Sequence, residues 1–271
     1  MNTLPILMYH GLHREESSRG RFDPVYSVHP EMFARQLDWL VQQGHRTALL
    51  EDALPGSTNA RDVIITFDDG DVSNVEVALP LLLERGLRAE FFVTTDFIGQ
   101  CGMLAPDDIR RLCAHGMGIG SHGRTHSFLS DLDVAELTAE LDDSRCRLQA
   151  ICGRAIEAIA LPGGRGGERE LLAAQQLGYR HLLGSVPGPN KRRRSDTWLQ
   201  RLPVTRNLSL DDFAALVHWR GLPARCPSLE GWPSSTSRAF RRATRTPMRS
   251  CAGLRPRPTT SWPDSGVPRA S

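Results

Sequence analysis

Val63-Ile64-Ile65-Thr66-Phe67-Asp68-Asp69-Gly70 is an apolar run that stops at two adjacent carboxylates and a glycine. Branched and aromatic side chains over five positions predict a buried strand. The acids then stand at its C-terminal mouth, where barrel and open α/β enzymes build their sites. Asp-Gly is also a common turn pair, so the motif alone reads equally as a solvated turn. Outward from it, short apolar segments alternate with amphipathic ones. Strands are predicted at Leu4 to Met8, Thr47 to Leu50, Val63 to Phe67, Glu90 to Thr94, Met117 to Gly120, Ile156 to Leu161, Tyr179 to Leu183 and Leu199 to Val204. Helices are predicted at Pro30 to Gln43, Asn74 to Arg85, Pro106 to His115, Asp133 to Cys152, Glu168 to Leu177 and Leu210 to Trp219. Pro30 and Pro106 suit a first helical turn, and Gly44, Gly86, Gly116 and Gly178 fall where helices should stop. Strand then helix, repeated seven or eight times, predicts an α/β fold with a parallel sheet closed toward a barrel.

The 271 residues are 40% apolar, which excludes a chain disordered throughout, and ordinary Gly and Pro usage excludes a collagenous one. A net charge of +2 conceals an uneven distribution. Residues 221–271 carry nine Arg against Glu230 and Asp264, so residues 1–220 are mildly acidic and no nucleic-acid partner is expected. The sequence divides into a catalytic domain, 1–220, and a basic Pro/Ser/Arg-rich tail, 221–271. That tail, with Trp232 and Trp262 stranded in it, is expected to be disordered or the product of a shifted reading frame. Six cysteines form no C-x-x-C pair, so free thiols are the expectation. The opening segment has no basic n-region and too short an apolar run for a secretory signal, and no stretch reaches membrane-spanning length; the expectation is a cytoplasmic protein.

Gly118-Ile119-Gly120-Ser121-His122-Gly123-Arg124-Thr125-His126 again follows a short strand. Two histidines four apart face one ion if the segment turns as a helix, although an isolated pair is as readily a solvated surface feature. The pair is not isolated. His10 follows the first strand, Asp68 and Asp69 the third, and Pro162-Gly163-Gly164 the sixth. Parallel strands would deliver all of these groups to one face. Two imidazoles and one carboxylate give three ligands for a divalent ion with positions left open. Adjacent acids cannot both face one point, so one binds the ion and the other serves as general base. A backbone N–H of the Gly163-Gly164 turn would stabilise an oxyanion, and His10 is the nearest candidate for the acid. The chemistry implied is metal-assisted hydrolysis of an amide or ester.

Thr66-Phe67-Asp68-Asp69-Gly70, Ser121 to His126 and Leu161-Pro162-Gly163-Gly164 resemble, in order, the first three motifs of the polysaccharide deacetylases, the NodB-homology or carbohydrate esterase family 4 group. The resemblance covers about residues 4 to 217, with Ile6 to His10 similar to the start of many members. It implies a distorted (β/α)7-8 barrel, a divalent metal (zinc first, with cobalt, nickel or iron as substitutes), and removal of N- or O-acetyl groups from the sugars of an oligo- or polysaccharide, as in exopolysaccharide assembly. It implies Asp68 as the base and Asp69, His122 and His126 as metal ligands.

The pattern departs from the family at two places. Ala160 stands where the third motif usually has an Arg that orients the base, with Arg165 or Arg124 as substitutes, and no late Leu-x-His motif is present. Some members resemble a circular permutation in which the acid comes from the first strand, which Tyr9-His10 fits. These departures motivate one alternative, a saccharide-binding protein without turnover; a related hydrolase of small amides is another. Lys191-Arg192-Arg193-Arg194 reads as a solvated loop, or as a dock for an anionic saccharide or phosphate.

Overall fold

The computed structural model describes residues 3–53, 61–188, 190–191 and 198–219. The chain divides into two compact units, Met1–Arg241 and Arg242–Ser271, and all described residues lie in the first. The predicted tail at 221–271 and the basic Arg192 to Arg194 lie outside the described residues.

In chain order the elements are β1 (Thr3–Leu4), β2 (Ile6–Tyr9), α1 (Pro30–Gln42), β3 (Arg46–Thr47), α2 (Leu50–Ala53), β4 (Asp62–Phe67), α3 (Leu79–Glu84), β5 (Glu90–Val93), α4 (Pro106–Ala114), β6 (Gly118–Ser121), α5 (Val134–Cys152), β7 (Ala158–Ala160), α6 (Glu168–Gln176), β8 (His181–Leu183), β9 (Asn190–Lys191), β10 (Trp198–Leu199), β11 (Leu202–Pro203) and α7 (Leu210–Val217). One sheet runs β10-β8-β7-β6-β5-β4-β2-β11, with β3 beside β4, and every pairing in it is parallel. Its two edge strands are consecutive in the chain, with only Gln200 and Arg201 between them. The sheet is therefore closed by covalent continuity rather than by a ladder, which is the distortion of this (β/α) barrel.

Alternation along the strands divides the apolar side chains into two layers. Leu7, Tyr9, Val63, Ile65, Phe67, Phe91 and Ile159 pack outward against helix residues such as Phe33, Leu37, Leu112 and Leu141. Ile6, Ile64, Phe92, Ala158, Ala160, Leu183 and Leu199 fill the interior of the curved sheet. Pro30 and Pro106 each occupy the first turn of their helix, and Asp133 caps α5 by accepting from the Glu136 amide.

Three elements depart from the predicted pattern. The single strand expected over Leu199 to Val204 is broken at Gln200 and Arg201 into β10 and β11, at opposite edges of the sheet. The strand expected over Thr47 to Leu50 stops at Thr47, because the buried Glu90 carboxylate accepts the Leu50 N–H at 2.8 Å and starts α2 there. The helix expected from Asn74 begins as a π-turn, Asn74–Ala78, before α3. That wide turn lets the Asn74 amide donate to the His10 carbonyl at 3.0 Å. Among the described residues no helix is long and apolar enough to cross a membrane.

Candidate metal and catalytic site

Because the strands are parallel, their C-terminal ends share one face, and the sequence-predicted groups arrive there together. His10 leaves β2, Asp68 and Asp69 leave β4, His122 leaves β6, and Pro162 to Gly164 follow β7. Asp69 Oδ1 lies 3.4 Å from His122 Nε2 and 3.2 Å from His126 Nε2. Asp69, His122 and His126 are the set of three whose ligand atoms converge closely enough to hold an ion, among the described residues.

The two histidines do not converge on a helix, as their spacing suggested. The segment after β6 is a loop, and it folds back through positive φ at Gly123 (77°) and His126 (71°). Asp69 also has positive φ, 74°. Two of the three described non-glycine residues in that region are thus candidate ligands, and strain held in place by surrounding structure is common at binding sites.

The donor set fits a divalent cation. His122 Nδ1 lies 2.8 Å from the Ala160 carbonyl, which can only accept, so Nδ1 carries the proton. In the neutral ring Nε2 then presents a lone pair toward the Asp69 carboxylate. Asp69 Oδ1 is buried with no hydrogen-bond donor aligned on it. Lone pairs facing lone pairs at this range are relieved by a positive charge between them, a ring proton or a bound cation. The charges agree: burial pulls the Asp69 pKa upward, but the two imidazoles override it and hold the carboxyl well below its usual range. Burial lowers the His122 pKa, yet Asp68 and Asp69 raise it beyond its ordinary value.

Asp68 faces elsewhere. Arg201 Nη1 and Nη2 donate to its Oδ1 and Oδ2, each at 2.7 Å, with both side chains buried. Arg201 Nη1 also donates to Thr66 Oγ1, and Nε to the Gly184 carbonyl. Burial would raise the Asp68 pKa, but the guanidinium and, after it, His122 keep it lowered. Arg201, not Arg165 or Arg124 as expected, makes the contact with Asp68. Arg124 is engaged by Asp96, Glu140 and Asp143, and Arg165 lies over the Phe128 ring. No motif announced Arg201. The available signal was an arginine at the start of an apolar strand segment, where a side chain pointing into the barrel needs an acid to meet it.

His10 packs against Tyr26, ring centroids 4.6 Å apart, and its Nδ1 is buried without a hydrogen-bond partner. Burial lowers its pKa, with Asp68 and Asp69 pulling in the opposite direction. The Gly164 N–H donates to the Leu161 carbonyl at 2.7 Å, so it is already committed. Gly163 is exposed with φ 60°.

A profile of the polysaccharide deacetylases matches residues 56–182, the span from the approach to β4 through β8. YxkH of Bacillus subtilis, which carries the polysaccharide deacetylase name provisionally, is 29% identical over 219 residues, 79% of this chain and 76% of that protein. Over residues 56–182 the chain belongs to the polysaccharide deacetylase family. The fold agrees: the Streptococcus pyogenes deacetylase PplD, solved with acetate, superposes with a TM-score of 0.71 at 25% identity, covering 79% of this chain and 98% of PplD. A Bacillus cereus peptidoglycan N-acetylglucosamine deacetylase is 27% identical over 135 residues, 49% of this chain and 48% of that protein. Membership makes Asp69, His122 and His126, on the family's first and second motifs, a candidate divalent-metal centre by motif as well as by geometry.

Proposed function

We propose that the protein removes N-acetyl groups from amino sugars within an oligo- or polysaccharide. Family membership makes it a hydrolase of carbon–nitrogen bonds other than peptide bonds. The single observation that carries the reading is the separation of the two adjacent acids: Asp69 turned to two imidazoles, Asp68 turned to one guanidinium.

Asp69, His122 and His126 would hold a divalent ion, zinc by preference for a two-imidazole, one-carboxylate set. When bound, such an ion polarises the acetyl carbonyl and acidifies water. Asp68 accepts the proton of the attacking water. Arg201 keeps Asp68 ionised and fixes its plane, so the base is oriented before substrate arrives. The Gly163 amide is the glycine donor left for the developing oxyanion, given the bond that occupies Gly164. His10 delivers a proton to the leaving amine; burial disfavours its protonated form, while Asp68 and Asp69 favour it. Its place after the first strand matches the permuted arrangement in which the acid comes from the N-terminus. Ala160 no longer argues for a binding protein without turnover, because Arg201 supplies the missing charge.

The test is acetate release from N-acetylated chitooligosaccharides by the purified full chain, metal-stripped and then restored with zinc, beside Asp69→Ala. Zinc-dependent release absent from the variant is the expected result. Stoichiometric metal in the wild type without release from any acetylated sugar would overturn the reading.

A further inference from the structure

Two arginines at the mouth of the barrel have a different setting from most others. Arg14, Arg19, Arg46, Arg85, Arg88, Arg124 and Arg201, for example, each lie within ion-pair distance of a carboxylate. Arg21 and Arg165 are exposed, and no carboxylate among the described residues pairs with either. Each guanidinium instead covers an aromatic face, Arg21 over Phe97 at 4.6 Å and Arg165 over Phe128 at 4.3 Å. Phe97 stacks on His126 with centroids 6.0 Å apart. Phe128 follows His126 by two residues and crowds Gly163, where an added Cβ would meet its ring at 2.4 Å. Phe97 follows β5 and Arg165 follows β7, while both candidate metal-binding histidines follow β6, the strand between them. One cation therefore stands on each side of the reacting centre.

The carboxylates nearest these two are met by other groups. Arg201 neutralises Asp68, and a bound cation would neutralise Asp69. Asp96 is met by Arg124 and Arg147, and Glu140 by Arg124 and by the Arg124 and Thr125 amides. Asp71 faces buried His13 and accepts the Ser73 and Arg21 amides. That backbone bond pins Arg21 on its loop, which Arg206 also clamps through the carbonyls of His13, Arg14 and Ser27. A guanidinium laid on a ring keeps its planar N–H fork free and loses less freedom on meeting an anion, the geometry suited to a carboxylate or phosphate.

We propose that Arg21 and Arg165 form an anion-binding pair of subsites flanking the deacetylation centre, so that the substrate is a polysaccharide carrying carboxylate or phosphate groups on sugars beside the acetylated one. The inference rests on the deacetylase reading above and adds the class of substrate to it.

The test uses the zinc-loaded full chain and three probes with one backbone: chitotetraose, chitotetraose oxidised to carboxylate at O6 of the flanking sugars, and chitotetraose phosphorylated there. At about 50 mM salt one charged probe is expected to exceed the neutral one about tenfold in kcat/KM, through KM, with the gap closing toward about 500 mM salt. Which charged probe gains identifies carboxylate or phosphate as the natural group. Arg165→Gln and Arg21→Gln should each lower the charged-to-neutral ratio about three- to tenfold. A ratio near one, insensitive to salt and to both substitutions, would overturn the proposal while acetate release from chitotetraose left the deacetylase reading standing. If no probe releases acetate, the deacetylase reading fails, and equilibrium binding of the same probes still decides the anion preference: tighter binding of a charged probe supports it, and equal binding overturns it.

Discussion

Arg201 holds both carboxylate oxygens of Asp68 at 2.7 Å across 133 residues of chain. The contact exists because β10 and β11 lie at opposite edges of the sheet and are joined by two residues, so the closing segment passes through the barrel interior and leaves Arg201 there. Barrel closure and orientation of the proposed base are thus one structural event.

A buried ion pair of this kind makes each partner costly to lose alone. Arg201→Met strands a buried carboxylate, and Asp68→Asn strands a buried guanidinium; each should cost about 3 kcal/mol or more. The double variant should recover part of that loss, giving a coupling of about 2 kcal/mol in a cycle measured by urea denaturation. Additive single losses would mean that the pair contributes nothing jointly. Activity should fall by about two orders of magnitude or more in all three, since the base is removed or released in each.

The sequence made most of this site legible, for a physical reason. Strand-end chemistry in a parallel sheet converges by topology alone, so His10, Asp68, Asp69, His122 and Pro162 to Gly164 could be placed together from their order after apolar runs. Arg201 could not be found that way, because its role depends on closure between strands that share no local pattern with β4. The helical pairing of His122 and His126 was also misread: four-residue spacing fits a helix, and only the positive φ at Gly123 and His126 reveals the loop that brings them together. The short helix α2 in place of a strand end depends on the distant Glu90 carboxylate. Local periodicity carries no trace of it.

Metal binding should separate the two histidines. His122 is buried and its ring is fixed by the Ala160 carbonyl, while the His126 side chain is 37% exposed. A ligand oriented by an outer partner loses more when removed. Zinc titration with a chromophoric competitor should therefore rank affinity loss as His122→Ala above His126→Ala, with Asp69→Ala at least as severe as His122→Ala. Zinc should also raise the Tm of the wild type and leave that of Asp69→Ala unmoved. Equal stabilisation of both would place the ion elsewhere.

Glu90 provides a pH signature distant from the metal ligands. Its carboxyl is buried at the start of β5, and desolvation pushes its pKa from 4.5 to about 7 against the opposing Leu50 N–H. The folded state therefore prefers the protonated acid. Its contribution to stability is fully present below pH 4.5 and is lost as pH rises through about 7, a change of about 3 kcal/mol at most. Glu90→Gln removes that slope while its carbonyl can still accept the Leu50 N–H. The variant should match the wild type in Tm near pH 4.5 and exceed it by several degrees near pH 8. Parallel Tm curves across this range would show that Glu90 does not titrate as described.

Gly164 and Gly86 share a backbone conformation but not surroundings, and that contrast isolates what the turn after β7 requires. Their φ values are 66° and 63°. A Cβ at Gly86 meets nothing within 4 Å, whereas at Gly164 it would lie 1.8 Å from Ser185 Oγ and 2.6 Å from the Ser185 backbone nitrogen. Alanine at either position incurs the left-handed penalty of about 1 kcal/mol. Only at 164 must the neighbouring strand exit also move, since a side-chain rotation of Ser185 leaves its backbone nitrogen in place. Gly86→Ala should therefore cost about 1 kcal/mol, and Gly164→Ala about 2 to 3 kcal/mol. The second variant should also lose kcat, because shifting the turn displaces the Gly163 amide proposed as the oxyanion donor, and Ser185→Gly in the same chain should relieve the Oγ clash but not the backbone one. Equal stability costs for the two alanine variants, with kcat intact in both, would show that the turn relaxes freely and that its amides do not meet the substrate.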